Sequence, residues 1–305
     1  MALKDVKSRI ASVKNIQKIT RAMEMVAAAR LRRAEQRIEA RRPYASAIRR
    51  MTRQAAEAAQ NVPNLPILNE HESENTVGLL LVTGDRGLAG AFNSQIVRAG
   101  IRAAAEHESG GRSLVWYASG RRGVSSLTFR GRDVAGAYTG FTDRPSYGDA
   151  RDIASDLIAA YVDGKVDRVE IIYNQYISPL TQKVTRETLL PLQHATILEG
   201  DEGLGGRAGG EEEEDEGAKH ALVEYEPDPE EILQRLIPAY VEISLYRALL
   251  ESTASEHGAR MTAMRNASQN AGDIIKDLTL QMNRERQAEI TQESLEVVSG
   301  AEGLR

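Results

Sequence analysis

The sequence predicts an α/β protein: a long antiparallel coiled coil, formed by the N- and C-terminal helices, is joined to a central Rossmann-like α/β domain. Apolar residues recur at heptad spacing over residues 228–298 and, less regularly, over residues 1–60. Between residues 75 and 226, short apolar runs alternate with helical patterns, which is typical of a sheet covered by helices. We therefore expect two coiled-coil segments, at 1–60 and 228–298, and one globular domain at 75–226.

The C-terminal segment has the more regular heptad pattern. Its start is marked by Asp228 as a candidate N-cap, followed by Pro229 and two acidic residues. About 65 helical residues reach roughly 100 Å, whereas a compact globule of about 300 residues is only about 40 Å across. The helix is therefore expected to project from the domain. Its predicted seam contains Leu233, Leu236, Tyr240, Ile243, Arg247, Leu250, Ala254, His257, Met261, Met264, Ser268, Ala271, Ile275, Leu278 and Met282.

The N-terminal segment carries an apolar stripe whose phase drifts along the helix. Pro43 is expected to kink or interrupt this helix, because proline lacks a backbone donor and clashes with the preceding turn. The predicted stripe contains Leu3, Val6, Ile10, Val13, Ile16, Ile19, Met23, Val26, Leu31, Ala34 and Ile38.

The two terminal segments differ sharply in charge. Residues 1–60 hold 15 Lys and Arg against 5 acids, about +10, and residues 227–298 hold 7 against 12, about −5. Opposite charge favours pairing of the two helices with each other. The basic helix is also compatible with a solvated face, with steering of a partner protein and with nucleic-acid binding. Tyr44 is its only aromatic residue, so base stacking would lack a platform.

The central domain is predicted from alternating strand and helix patterns. Residues 77–82 form a continuous apolar run, which is typical of a strand buried on both faces. Residues 199–219 are rich in glycine and acids and cannot bury a core, so we expect a disordered acidic loop, with cation binding as the alternative. The other predicted elements are helices at 92–107, 122–129 and 150–162, core strands at 114–118 and 169–173, and antiparallel edge strands at 185–190 and 222–225.

Few residues suggest chemistry carried by this chain itself. Gly84, Gly87 and Gly90 follow the first strand at spacings of three and three, unlike the dinucleotide-binding or P-loop patterns. A tight, closely packed turn explains them, and nucleotide binding is the alternative. The five histidines form no metal motif, and the absence of cysteine excludes disulfides, thiolate metal sites and a thiol nucleophile. The sequence therefore predicts no catalytic residue, no cofactor and no metal.

Both ends of the chain resemble a known family. Residues 10–28 read IASVKNIQKITRAMEMVAA and closely resemble the N-terminal helix of the gamma subunit of bacterial F-type ATP synthase. Residues 290–301 read ITQESLEVVSGA and resemble the C-terminal signature of that family. The likeness covers nearly the whole chain in order. Further similar segments lie at residues 84–90, 245–252 and 256–261.

The resemblance implies the central rotor shaft of the F1Fo ATP synthase, which transmits torque between the proton-driven c-ring and the catalytic alpha/beta hexamer. The coiled coil is expected inside the alpha3beta3 ring, and the α/β domain against the epsilon subunit and the c-ring. The chain would then be non-catalytic, bind no nucleic acid and lie at the cytoplasmic face of the bacterial cell membrane as a peripheral protein attached through the c-ring. Two alternatives stay open: a coiled-coil adaptor with a nucleotide-sensing α/β head, and a nucleic-acid binder that uses the basic helix.

The resemblance also implies particular rotor–stator contacts. Pairing of residue 58 with residue 230 places residue 1 beside about residue 287, so the C-terminal end is expected to extend beyond its partner helix. The alternative for the polar contacts is a solvated side chain or a contact within the coil, and for the methionine it is packing in the seam. The implied contact residues are Met23, Arg260, Gln287, Thr291 and Glu296.

Overall fold

The computed structural model describes residues 3–58, 65–192 and 229–302 of the 305-residue chain. The predicted acidic loop at 199–219, the predicted strand at 222–225 and the candidate N-cap Asp228 lie outside the described residues. In chain order the elements are α1 (Leu3–Ala58), a short 3-10 turn (Pro66–Leu68), β1 (Thr76–Val82), α2 (Phe92–Ser109), β2 (Ser113–Ser119), α3 (Arg121–Phe129), β3 (Val134–Tyr138), α4 (Tyr147–Val162), β4 (Arg168–Tyr176), β5 (Gln182–Leu190) and α5 (Pro229–Glu302).

The chain divides into two compact units, and α1 and α5 contribute residues to both. One unit, here called the helix-pair unit, contains Met1–Ala29 and Arg260–Arg305. The other, here called the sheet unit, contains Arg30–Ala259. The predicted fold class, long paired terminal helices with a central α/β domain, is confirmed.

The described part of the sheet unit contains a five-stranded sheet in the order β3-β2-β1-β4-β5. β1 pairs in parallel with β2 and β4, and β2 pairs in parallel with β3. β5 lies antiparallel to β4 at the edge, as the alternating pattern of residues 185–190 predicted. The sequence analysis missed β3, whose Val-Ala-Gly-Ala-Tyr segment has little apolar bulk. Gly136 is needed there because a Cβ would lie 2.7 Å from the Tyr138 hydroxyl and 2.8 Å from the Tyr117 ring.

Two apolar cores are found among the described residues, one on each face of the sheet. Successive side chains of a strand point to opposite faces, so Leu80 and Val82 enter one core while Leu79 and Leu81 enter the other. The first core is covered by α4 and by the part of α5 from Leu233 to Leu249. The second is covered by α2 and α3. α5 is therefore part of the hydrophobic core of the sheet unit.

The structure corrects two expectations about α1. The helix continues through Pro43 from Leu3 to Ala58, so proline does not interrupt it. The apolar stripe does not drift in phase, because polar residues take the positions that complete a regular heptad. The buried or half-buried positions of that heptad are Val6, Ile10, Val13, Gln17, Thr20, Glu24, Ala27, Leu31, Ala34, Ile38, Arg41, Ala45, Ile48 and Thr52.

The helix-pair unit is an antiparallel pairing of the first part of α1 with the last part of α5. Glu24 accepts a hydrogen bond of 2.8 Å from Nε of Arg265, and the side-chain amide of Gln17 donates to the carbonyl of Ser268 at 3.3 Å. The predicted register places residue 24 beside about residue 264 and residue 17 beside about residue 271, so the two observed contacts agree within one and three positions. On α5, every residue of the predicted seam is buried or half-buried.

Candidate functional site

The carboxyl ends of the parallel strands form the crevice where sheets of this kind usually bind ligands, beside the point where the strand order reverses. Here α5 occupies that crevice with three hydroxyl groups. Ser252 donates to the carbonyl of Val82 at 3.3 Å, and Ser255 donates to the carbonyl of Asn174 at 3.1 Å. Thr253 donates to the carbonyl of Thr142 at 2.9 Å. The helix therefore satisfies polar groups that a ligand would otherwise meet.

The glycine-rich turn after β1 packs against the same helix. A Cβ on Gly84 would lie 2.6 Å from the carboxyl carbon of the buried Glu256, so any larger residue here would require the Glu256 side chain to move. The remaining cavity, lined by Thr83, Thr142 and Glu256 among others, has a volume of about 10 Å³. Ligand pockets typically measure about 300–1,000 Å³. A nucleotide does not fit in this crevice, and the closely packed turn is the interpretation that the geometry supports.

Asp85 joins this turn to the start of α3 and to the loop that follows β3. Its carboxylate accepts hydrogen bonds from the backbone N–H of Arg121 at 3.0 Å and of Gly140 at 2.9 Å, and from the hydroxyl of Thr142 at 2.9 Å. Partial burial disfavours the charged form, but these hydrogen bonds outweigh it and hold the pKa of Asp85 below its ordinary value. Asp85 thus makes contacts within its own chain, and the neighbouring Arg86 lies 3.4 Å from Asp143.

A buried charged cluster fastens α5 to the sheet. Arg247 is 1% exposed and donates to a carboxylate oxygen of Glu187 on β5. The other oxygen of Glu187 accepts a 2.7 Å hydrogen bond from the hydroxyl of Tyr173 on β4. One turn further along α5, Glu251 is also buried, and a backbone hydrogen bond from Tyr176 reaches its carboxylate. Moving either strand relative to α5 would leave buried charges without their partners, which is costly.

The α1 helix is tied to the sheet unit by separate polar contacts. Arg41 is buried and donates to the carbonyl of Ile243 on α5 at 3.2 Å. Arg30 donates to Asp143 at 2.8 Å, in the loop after β3. Glu35 accepts a short hydrogen bond from the hydroxyl of Tyr176. Three residues of α1 are therefore used for contacts inside the sheet unit, two of them from the basic run.

All five implied rotor–stator residues fall in the helix-pair unit. Met23 is half-buried and Arg260 is buried, whereas Gln287, Thr291 and Glu296 are exposed. The Thr291 hydroxyl donates to the carbonyl of Gln287 at 2.9 Å, so these two lie one turn apart on α5. A side-chain amide from the same helix donates to Glu296 at 3.1 Å. The structure thus places two of the candidates, Gln287 and Thr291, one turn apart on the exposed part of α5.

The end of α5 is exposed, as the register predicted. Every described side chain from Arg286 to Val297 is exposed, including Ile290 and Leu295. On α1, Met25 is an exposed apolar residue of the same unit. Clustered exposed apolar residues mark interaction surfaces in soluble proteins.

The sequence analysis gave no role to Glu251, Glu187 or Tyr173 and placed Arg247 on the seam without a partner. Arg247 stands at a heptad position that is usually apolar, which is the one signal that a buried charge partner would be found. Its partner Glu187 lies 60 residues earlier in the chain, and no local pattern connects the two.

The stability of the sheet unit is expected to depend on the protonation of Glu251. Burial of the carboxylate raises the pKa of Glu251 from 4.5 to about 7; the positive charge of Arg247 opposes this shift, and the negative charge of Glu187 adds to it. Because the folded chain holds this proton more tightly than the unfolded chain, the contribution of Glu251 is fully present below about pH 4.5 and is lost as the pH rises to about 7. Glu251→Gln removes this dependence, so the variant gains up to roughly 3 kcal/mol relative to the parent over that interval.

Fluorescence of Trp116, which is buried in the sheet unit and is the sole tryptophan, reports this unfolding in urea at a series of pH values. Glu289→Gln is the matched control, because Glu289 is an exposed glutamate on the same helix. Parallel curves of unfolding free energy against pH for the parent and Glu251→Gln would contradict the raised pKa of Glu251.

Comparison with known proteins places the chain in a family. A family model described as ATP synthase matches residues 2–304. The ATP synthase gamma chain of Rubrobacter xylanophilus is 42% identical over 303 residues, which cover 99% of this chain and 98% of the relative. The gamma chain of Picosynechococcus sp. is 40% identical over 316 residues and covers 99% of both chains.

Solved structures share the fold. A chain in the central stalk and c-ring structure of the Tetrahymena thermophila mitochondrial ATP synthase is 25% identical, with a TM-score of 0.58 over 82% of this chain and 99% of that chain. A chain in the Euglena gracilis mitochondrial ATP synthase has a TM-score of 0.66 at 19% identity and covers 99% of this chain and 94% of that chain. The described residues include no helix with the length and hydropathy needed to cross a bilayer. With sequence identity of about 40% along its whole length, this chain belongs to the gamma-chain family of ATP synthases.

Proposed function

We propose that this chain is the central rotor shaft of a bacterial F1Fo ATP synthase. It transmits torque between the proton-driven c-ring and the alpha/beta hexamer, and it couples proton flow to the synthesis or hydrolysis of ATP. The observation that carries this proposal is the exposed apolar surface of the helix-pair unit, which requires covering by other subunits. The relatives named as gamma chains and the central-stalk structure supply the identity of those subunits.

The sheet unit is the part of the chain that meets the c-ring and the epsilon subunit. Torque applied there reaches α5 through the cluster around Arg247 and through the strand-end contacts of Ser252 and Ser255. The filled crevice supports a non-catalytic role, since the chain keeps no room for a nucleotide at the usual place. Nucleotide chemistry then belongs to the alpha/beta hexamer, and this chain changes the nucleotide affinities of its sites as it turns.

The chain is peripheral at the cytoplasmic face of the cell membrane and is attached indirectly, through the c-ring. Nucleic-acid binding is not favoured, because Arg30 and Arg41 of the basic helix are used inside the sheet unit. The second candidate function is a coiled-coil adaptor with a nucleotide-sensing head. It requires nucleotide binding to the isolated chain, which the volume of the crevice disfavours.

Co-assembly tests the proposal. The full chain, mixed with the alpha and beta subunits of the same organism, is expected to co-purify with them in one complex. When the membrane-embedded Fo part is added, ATP hydrolysis by this complex is expected to drive proton pumping. Calorimetry of the isolated chain with ATP is expected to show no binding. Failure to assemble, together with nucleotide binding by the isolated chain, would favour the adaptor. DNA affinity that falls steeply with salt would favour the nucleic-acid binder.

Replacing the implied contact residues is expected to weaken coupling more than folding. For Arg260→Ala, we expect the proton uptake per ATP hydrolysed to fall in the reconstituted complex, while the Tm of the isolated chain changes by less than about 4 °C. Arg260 is buried, so the exposed residue Glu296 provides the cleaner variant: Glu296→Ala should leave the Tm unchanged and still reduce coupling.

Glu289→Ala is the matched control, because it removes an exposed carboxylate from the same stretch of α5. Coupling equal to that of the parent in both Arg260→Ala and Glu296→Ala would refute the assigned contacts. The same assay applied to Met23, Gln287 and Thr291 tests the remaining members of the set.

A further inference from the structure

The seam of the helix-pair unit contains a polar stretch that the proposed function does not explain. At positions 17 and 20, α1 places a glutamine and a threonine where the heptad calls for apolar residues. Thr20 is buried, and its hydroxyl donates to the carbonyls of Ile16 and Gln17 within its own helix. Gln17 instead reaches across the pair, and its amide nitrogen donates to the carbonyl of Ser268 at 3.3 Å.

Gly272 on α5 makes room for this amide. A Cβ at position 272 would lie 3.1 Å from Nε2 of Gln17, closer than an ordinary van der Waals contact. Glycine inside a helix costs about 0.5–1 kcal/mol relative to alanine. Gly272 therefore lowers the stability of the helix, and the space left by its missing side chain accommodates the amide group of Gln17.

Over residues 16–26, a second and more apolar stripe lies one residue ahead along α1. Ile16, Ile19, Met23 and Val26 each precede a position of the observed heptad by one residue. Rotating α1 by about 100° about its axis would exchange the two sets. Burial of apolar area favours the alternative set, yet Ile16, Ile19 and Val26 are 52%, 59% and 55% exposed. Buried Val6 and Ile10 favour the observed rotation at the start of α1. The polar stretch at residues 17–24 gains little apolar burial from that rotation, so a specific interaction within the stretch is needed to stabilise it there.

We propose that Gln17, seated over Gly272 and bonded to the Ser268 carbonyl, fixes the rotation of α1 against α5 and so keeps Ile16, Ile19 and Val26 directed outward for the subunits that surround the shaft. A polar residue at a core position is the best-attested means of specifying register in coiled coils, at a cost in stability. Gln17 is thus a positioning residue. The role of Ile16, Ile19 and Val26 in contacting other subunits rests on the proposed function, whereas the role of Gln17 in fixing the rotation of α1 does not.

Gln17→Glu tests the proposal with the least change in shape. A carboxylate in place of the amide cannot donate to the Ser268 carbonyl and is repelled by it, so α1 should rotate to bring position 17 into solvent. Gln269→Glu is the matched control, because Gln269 is exposed and lies beside Ser268 on α5. Since the full chain has no cysteine, a single thiol introduced by Ile16→Cys or Thr20→Cys reports the exposure of that position.

Maleimide labelling rates of the full chain at pH 8 give the answer. In the parent background, the thiol at position 16 should react fast and the thiol at position 20 slowly. In Gln17→Glu, the rate at position 16 should fall and the rate at position 20 should rise, each by roughly tenfold, the factor that corresponds to the loss of one part-buried hydrogen bond. Gln269→Glu should match the parent. Unchanged rates, or an increase at both positions as in simple loosening, would overturn the proposal.

Measuring the proton pumping per ATP hydrolysed in the reconstituted complex tests separately whether the outward direction of Ile16, Ile19 and Val26 matters for coupling. If labelling reverses and proton pumping per ATP also falls in Gln17→Glu, both parts of the proposal are supported. If labelling reverses and coupling is unchanged, the outward direction of Ile16, Ile19 and Val26 has no role in the complex, which overturns that part. Failure of the parent chain to assemble would contradict the proposed function and leave the labelling result standing.

Discussion

Burial of α5 in the sheet unit is the interaction on which the rest of the structure depends. Its apolar residues from Leu233 to Leu249 complete one of the two cores, and its hydroxyl groups satisfy the carbonyls at the strand ends. Arg247, which is buried, adds an ion pair with the half-buried Glu187, and the Arg247 charge would be left without this partner if the helix withdrew. A helix held in this way cannot slide over the sheet, which is the property that a torque-bearing element needs.

The same burial fills the crevice that commonly binds ligands in sheets of this class. In open α/β sheets the crevice beside the strand-order reversal is the usual binding place, and here Glu256 and its neighbours on α5 fill it. The missing side chain of Gly84 leaves space for the carboxyl group of Glu256 on this helix. The charged cluster places a titrating carboxylate, Glu251, within this packing, so the strength of the attachment depends on pH near neutrality.

Much of the fold could be predicted from the sequence because it is encoded locally. β1 is a continuous apolar run, and the seam of α5 keeps its heptad across positions as different as Leu233 and His257. β3 was missed because its small residues gain their strand conformation from pairing with β2, which no local pattern reports. Pro43 was expected to kink or interrupt α1, and the helix continues through it without interruption.

The candidate site was harder to predict. Ile16 was predicted in the seam because it is apolar, whereas the structure places Gln17 there. The hydrogen bond of Gln17 joins it to Ser268, 251 residues away, and no local sequence pattern reports such a contact. The contact residues came from family resemblance alone, and three of them lie where α5 is exposed, on a surface whose purpose appears only when other subunits are considered.

Rotation is the most direct test of the central claim that this chain turns as a shaft within its partners. The chain has no cysteine, so Lys165→Cys, at an exposed position of the sheet unit, provides a single attachment point for a bead. With the alpha/beta hexamer fixed to a surface, ATP should drive rotation of the bead in one direction. A bead that stays still or moves without direction, while the same complex hydrolyses ATP, would contradict the account.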